Sequence, residues 1–551
     1  MLMDQTKLSP HRLNRKFARV SRVAIVACLL WRGGHLALAA SKPASISTVP
    51  KWSRFELTLQ SSVTYSNAVH EAKLITWFIS PLGETNRVDG FWDGENNWRV
   101  RFAPDMPGRW TFTTSCSDRS NTNLDGQTGE FKCLAALPKT VLDRHGPIRV
   151  ARDHRHFEHS DRTPFLWLGD AVWNGARLAA LDDWRIYSEE RASQKFTVLQ
   201  WTVAPGRDAQ GQIAFTGRKS IVINARFFQR LDEKVEAANR AGLVCAIVPL
   251  QELGGADGGL PEDEAALLVR YVTARWSANH VAWILAFEGD SLGKRVDRWK
   301  RIGREAFANP AHAPVILMPG ETHWLLDEFR DEAWLDAFAL PNLNPDENGL
   351  QWMLSGPLSL EWRKSPPRPI VNLSVPAETS PTGDDARRML WWNLLMNPTA
   401  GASYTATAVV HWETNLVTNP NMLPRTMPAW RSALFLPGAR SVATAAELFG
   451  DVDFSQLRPA PRLLATQPGS QNPRRHVAAA MSETSNLKLV YVPEDRAIEL
   501  TSAAFSPSPS VSWFNPRTGE RQPAVAIKRA KSLEFTTPEA GDWVLVSETG
   551  K

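Results

Sequence analysis

Apolar and polar positions divide the chain into three stretches with different periods. Between residues 50 and 137, the runs FELTLQSSVTY, KLITWFISP, WRVRFAP and RWTFTTSC are short, alternating or locally apolar, and separated by Gly, Asn, Asp and Pro. That pattern, with no helical period, predicts strands in a small β-sandwich. MPGRW (Met106 to Trp110) reads as a tight turn into a strand.

From 148 to 437 the runs become apolar on both faces and alternate with helical periods. They are PFLWLGD, KFTVLQWTV, GLVCAIVPL, VAWILAFEGD, APVILMPG, a short sixth run near Phe338–Leu340, RPIVNLSV and GASYTA. Runs of this kind mark parallel strands buried on both sides. One intervening helix, RFFQRLDEKVEAANRAG, sets Phe227, Leu231, Val235 and Ala238 on one face and reaches Gly242 as a stop. Eight such units predict a (β/α)8 TIM barrel, with a doubly wound open sheet as the rival. No glycine-rich phosphate loop follows the first strand, which counts against a nucleotide-binding sheet. Residues 438–474 read as a linking segment. Residues 475–548 (HVAAAMS, LKLVYVP, AIELTS, SVSWFNPRTG, SLEFTT, DWVLVS) read as a second small β domain with a turn at Asn515–Gly519.

Residues 1–40 stand apart. Seven basic residues against Asp4 alone account for more than the whole formal charge of +5, so the remaining chain is close to neutral. A near-neutral body argues against a nucleic-acid partner, which needs a clustered basic surface. The same forty residues have the form of a signal peptide: a basic region to Arg22, an apolar run Val23–Trp31, and small residues at Ala37-Leu38-Ala39-Ala40. Cleavage near Ala39 or Ala40 and export follow as expectations. The alternative, a retained anchor, conflicts with so short a run, because a stable membrane span needs about 20 residues. Cys28 lies in this segment, Cys245 lies in an apolar strand, and Cys116 and Cys133 flank a turn-rich loop where they could bridge two strands in an oxidising compartment.

The candidate chemistry is acidic and aromatic. There are 23 Trp against 5 Tyr, and a flat apolar ring with one polar edge is what a sugar stacks on; Trp also fills cores. Glu288 ends the fourth run abruptly. At the end of a barrel strand such a carboxylate is placed for catalysis, while a salt-bridged loop Glu is the plain alternative. Asp170 ends the first strand and could bind a sugar hydroxyl or cap a helix. Trp201 is a stacking platform or core; Asp290 is a helper or a surface residue. No metal-spacing motif is visible and no cofactor is implied.

The segments FLWLGDAVW, the FEGD strand end, PIVNLSVPAET and DDARRMLWWNLLMNPTAGASYTA together resemble the apiosidase-like glycoside hydrolases, bacterial barrel enzymes of plant cell-wall breakdown. The domain before the barrel is similar to the sandwich often found there. The C-terminal domain, with YVP and WFNPRTG, is similar to a module carried under a collagen-binding description in such proteins. The resemblance implies that Glu288 is the general acid/base, with Glu in place of the commoner Asp. The candidate substrate contacts are Asp170, Trp173, Trp201, Asp290, Asn372, Tyr404 and Trp412. The seventh strand in the family reads V-L-N-G-E-P-x-Y-E. Here Ser374 stands where its first Glu belongs, and Glu378 survives as the second carboxylate. Glu378 lies four residues beyond Ser374, about 13 Å of extended chain, and reaches the pocket only if the loop folds back. Glu252 and Glu413 are the substitutes.

Two readings follow. One is a secreted glycoside hydrolase acting on a cell-wall or exported polysaccharide or oligosaccharide by two-carboxylate chemistry. The other is a noncatalytic carbohydrate-binding or adhesion protein on a degenerate hydrolase barrel.

Overall fold

A computed structural model describes residues 47–252, 259–285, 295–319, 324–340, 347–361, 363–373, 377–378, 382–396, 399–418, 426–505 and 510–549. The N-terminal runs form two antiparallel-rich sheets. One has five strands, including Leu74–Ile79, Gly108–Cys116 and Thr128–Leu134, and the other pairs Phe55–Gln60 with Asn97–Phe102 and Phe91–Trp92. Phe78, Trp98, Val100, Trp110 and Phe131 fill the space between them. Cys116 and Cys133 do not bridge. Cys133 pairs opposite Gly108, so Cys116 is eight residues further along its strand, about 26 Å at 3.3 Å per residue. A disulfide needs Cα atoms within about 7 Å, and both thiols are free and buried.

The eight apolar runs close into one parallel barrel. Its strands are Trp167–Ala171, Val198–Thr202, Val244–Val248, Val281–Leu285, Val315–Leu317, Ala337–Ala339, Ile370–Asn372 and Thr399–Tyr404. Alternation along each strand decides which side chains meet inside. Val198, Val244, Ala246, Ala282, Ile284, Ile316, Ala337, Ala339, Val371 and Ala400 share the interior cluster. Their neighbours Leu199, Trp201, Cys245, Ile247, Trp283, Leu285, Phe338, Ala402 and Tyr404 face the helices. The helix Ala225–Arg240 buries Phe227, Leu231, Val235 and Ala238, and Gly242 follows it at φ 89°, a left-handed turn that suits glycine. Residues 148–165, expected inside the repeating barrel pattern, instead form a three-stranded antiparallel sheet whose Ile148, Phe157 and Phe165 close the floor of the interior.

The stretch 438–474 is not a plain link. Helix Pro437–Asp451 packs on the helix Asp384–Met396 and the eighth strand, and Leu457–Pro459 already belongs to the C-terminal sheet. That sheet has six strands, with three more (Ala497–Thr501, Ser532–Thr536 and Ile527–Lys528) in a second layer. Among the described residues, no helix is long and apolar enough to cross a membrane.

Candidate active site

Barrel strands deliver their chemistry at their C-terminal ends. Trp173 lies there, two residues past the first strand, half-buried against the interior cluster. Its carbonyl accepts from both the hydroxyl and the backbone N–H of Thr202, at 3.0 Å each, which ties the ends of strands one and two together. Arg177 extends the tie: its Nε donates to the Thr202 carbonyl at 3.2 Å and its Nη1 to the Arg207 carbonyl at 2.8 Å. Glu252 is exposed four residues past the third strand. Glu288, Asp290 and Ser374 lie outside the described residues.

Below this mouth sits a polar plug that the sequence reading missed. Trp167 Nε1 donates to Gln200 Oε1 at 3.2 Å and to Ser403 Oγ at 3.1 Å; Ser403 Oγ also donates to Gln200 Oε1. Gln200 Nε2 donates to the Leu373 carbonyl at 2.8 Å, so strands one, two and eight are pinned to the end of strand seven. Gly169 leaves the room: a Cβ there would stand 2.3 Å from Ser403 Oγ. The available signal was a polar residue at interior parity inside two otherwise apolar strands.

Several residues expected at the mouth face the other way. Asp170 follows interior-facing Gly169 and turns to the helix layer, wholly buried. There its Oδ2 accepts from Tyr187 OH at 2.6 Å and from Arg191 Nε at 2.5 Å. Burial alone would lower the Arg191 value, but the charge of Asp170 raises it above the ordinary range. Asp170 is therefore an internal ion pair, not a sugar ligand. Trp201 is core, edge-on to Trp276 at 5.7 Å. Trp412 is core too, stacked on Trp430 with centroids 4.3 Å apart. Asn372 lies between interior-facing Val371 and Leu373 and so turns to the helix side, buried.

Glu378 is likewise occupied. Tyr404 OH donates to its Oε2 at 2.5 Å, and the Gly438 N–H lies 3.1 Å from both of its oxygens. Gly438 is the second residue of helix Pro437–Asp451, so this carboxylate caps a helix N-terminus, where negative charge is favoured. Burial pushes its pKa up, opposed by the Tyr404 hydroxyl and the Gly438 N–H. Tyr404 is thus the hydroxyl partner of that cap, on the outer face of strand eight. Glu413, half-buried after the eighth strand, uses its carbonyl to accept from Trp430 N–H at 2.7 Å. Twelve of the 23 Trp side chains are sealed from solvent, so the Trp excess is mostly core. Among the described residues, no group of three or more His, Cys, Asp or Glu side chains gathers as a metal site would.

The fold is a closed parallel barrel of eight strands flanked by two β domains. Comparison with known sequences narrows this. The profile of the apiosidase-like catalytic domain matches residues 151–456, more than half the chain, and the protein belongs to that family of glycoside hydrolases. A domain of unknown function matches residues 48–117, and a domain described from the collagen-binding part of a collagenase matches 459–548. No curated protein matches by sequence. Among solved structures, a Bacteroides vulgatus protein described as a glycoside hydrolase is similar over 91% of this chain and 100% of its own, at 18% identity and TM-score 0.68. A second, described as a glycoside hydrolase family 5 protein of the same organism, covers 75% of this chain and 95% of its own at 16% identity and TM-score 0.65. At those identities the likeness speaks for the fold.

Proposed function

We propose that the protein is exported, trimmed near Ala39 or Ala40, and hydrolyses a glycosidic bond in a cell-wall or exported polysaccharide, with Glu288 as general acid/base. The observation that carries this reading is the family match across a closed barrel. The position of Glu288 in the sequence supports it. Glu288 comes three residues after the strand Val281–Leu285 and an even count from interior-facing Ala282 and Ile284.

Glycoside hydrolysis needs a second carboxyl across the bond. With Glu378 spent as a helix cap, this reading favours Glu252 for that place. It follows the third strand, next in barrel order to the fourth. Adjacent strands lie about 4.8 Å apart, which permits the roughly 5–10 Å that retaining and inverting pairs span where the loop after the third strand folds back over the barrel mouth. The test is reducing-end release from plant and bacterial cell-wall polysaccharides, with Glu252→Gln beside the native chain. Turnover by the native protein and a loss of about 10²-fold or more in the variant are expected.

Ser374 in place of a family Glu, together with the capped Glu378, supports the second reading of a noncatalytic glycan-binding barrel. Saturable glycan binding with no bond cleavage would establish it instead. Mass determination of the exported chain's N-terminus tests the processing step; an intact residue 1 would contradict it.

A further inference from the structure

Under the barrel, at the end opposite the strand C-termini, lies a cleft of about 710 Å3. Its walls come from the short helix Val141–His145, the approach to the first strand, and the last turn of helix Pro437–Asp451 with Phe454. Phe165, Phe196 and Phe449 give its lining an apolar wall, beside the polar Thr140, His159 and Thr197. The rim carries Lys139, Arg144, Lys195 and Arg240, and among the described residues no Asp or Glu lines the cleft. Arg240 is engaged by Glu236 at 2.7 Å. Lys139, Arg144 and Lys195 are exposed and have no acidic partner among the described residues.

Helix dipoles account for part of this charge, since Lys195 and Arg240 stand at helix C-termini where cations are favoured. They do not account for Lys139, which precedes the Thr140 N-cap, the end where a helix disfavours a cation. The volume falls in the range of about 300–1,000 Å3 typical of small-molecule pockets. A sugar would leave hydroxyls unpaired against the phenyl rings. An apolar body with a single anionic end matches both the walls and the rim.

We propose that this cleft binds an amphiphilic monocarboxylate, its chain or ring against the Phe165–Phe196–Phe449 wall and its carboxylate at Lys139, Arg144 and Lys195. The site is independent of glycan hydrolysis at the opposite end of the barrel. The test is calorimetric titration of the full chain with dodecanoate, below its micellar concentration, beside dodecyltrimethylammonium and acetate. Dodecanoate should bind one to one and at least tenfold tighter than the cation of equal chain length, and acetate should not register. Arg144→Glu with Lys195→Glu, both on exposed side chains, should weaken dodecanoate at least tenfold while leaving the melting temperature and polysaccharide turnover unchanged. Should that double variant unfold, Lys139→Gln carries the same test with a smaller loss. Equal binding of the two surfactants, no saturable binding of dodecanoate, or unchanged binding in a folded variant would overturn the proposal.

Discussion

Asp170 and Arg191 are both wholly buried and joined at 2.5 Å, so each charge depends on the other. Removing one partner of such a pair strands the other in a medium that cannot solvate it, at a cost of about 3–5 kcal/mol. Asp170→Asn is therefore expected to lower unfolding free energy by that order in denaturant titration, with KM of the folded fraction unchanged. A raised KM at full stability would return Asp170 to the sugar site. The sequence could not decide this. In PFLWLGD both faces of the strand are apolar, so the run announces a buried strand without saying which parity faces inward. Trp201 was ambiguous for the same reason. Glu378 depended on a partner sixty residues away, Gly438, which no local pattern connects to it.

At the scale of elements, the strands were legible because parallel strands buried on both faces read as unbroken apolar runs. The helix Pro437–Asp451 was not. Its buried face includes Gly438, Ala439, Ser441, Thr444 and Ala445 beside Val442, Leu448 and Phe449, and so many small residues leave a faint period. Its start is held by close contact at Gly438, where a Cβ would stand 2.6 Å from Glu378 Oε2 and 2.7 Å from the Tyr404 ring. Gly438→Ala should displace the cap and cost about 1–3 kcal/mol, the usual range for overpacking, read as a drop in the denaturant midpoint. An unchanged midpoint would mean that the cap is not structural.

Among the described residues, largely buried ion pairs cross both domain junctions. Arg101 of the sandwich and Arg275 of the barrel share Asp232, at 2.8 and 2.7 Å, and Trp276 Nε1 donates to it at 2.7 Å. At the other end Arg387 grips Asp542 at 2.8 and 2.9 Å, and Trp391 stacks on Tyr491 at 6.0 Å. Burial alone would raise the Asp232 pKa, but hydrogen bonds and charge from Arg101 and Arg275 hold it at about 2. An acid depressed on folding adds stability above its unfolded value of 3.8 and loses it as pH falls toward about 2. Melting temperature should therefore fall as pH drops through that window, and Asp232→Asn, less stable at neutral pH, should show a shallower fall. A slope identical to the native protein's would remove Asp232 from the account.

In the proposed function, hydrolysis rests on the carboxylate that follows the fourth barrel strand, while the one after the seventh strand serves the fold. Turnover of Glu288→Gln and Glu378→Gln on the same polysaccharide, per folded molecule, tests this most directly. The account predicts a loss of about 10²–10⁴-fold for Glu288→Gln and near-native turnover, with lowered stability, for Glu378→Gln. Native turnover in Glu288→Gln, or a catalytic collapse in a fully stable Glu378→Gln, would contradict it.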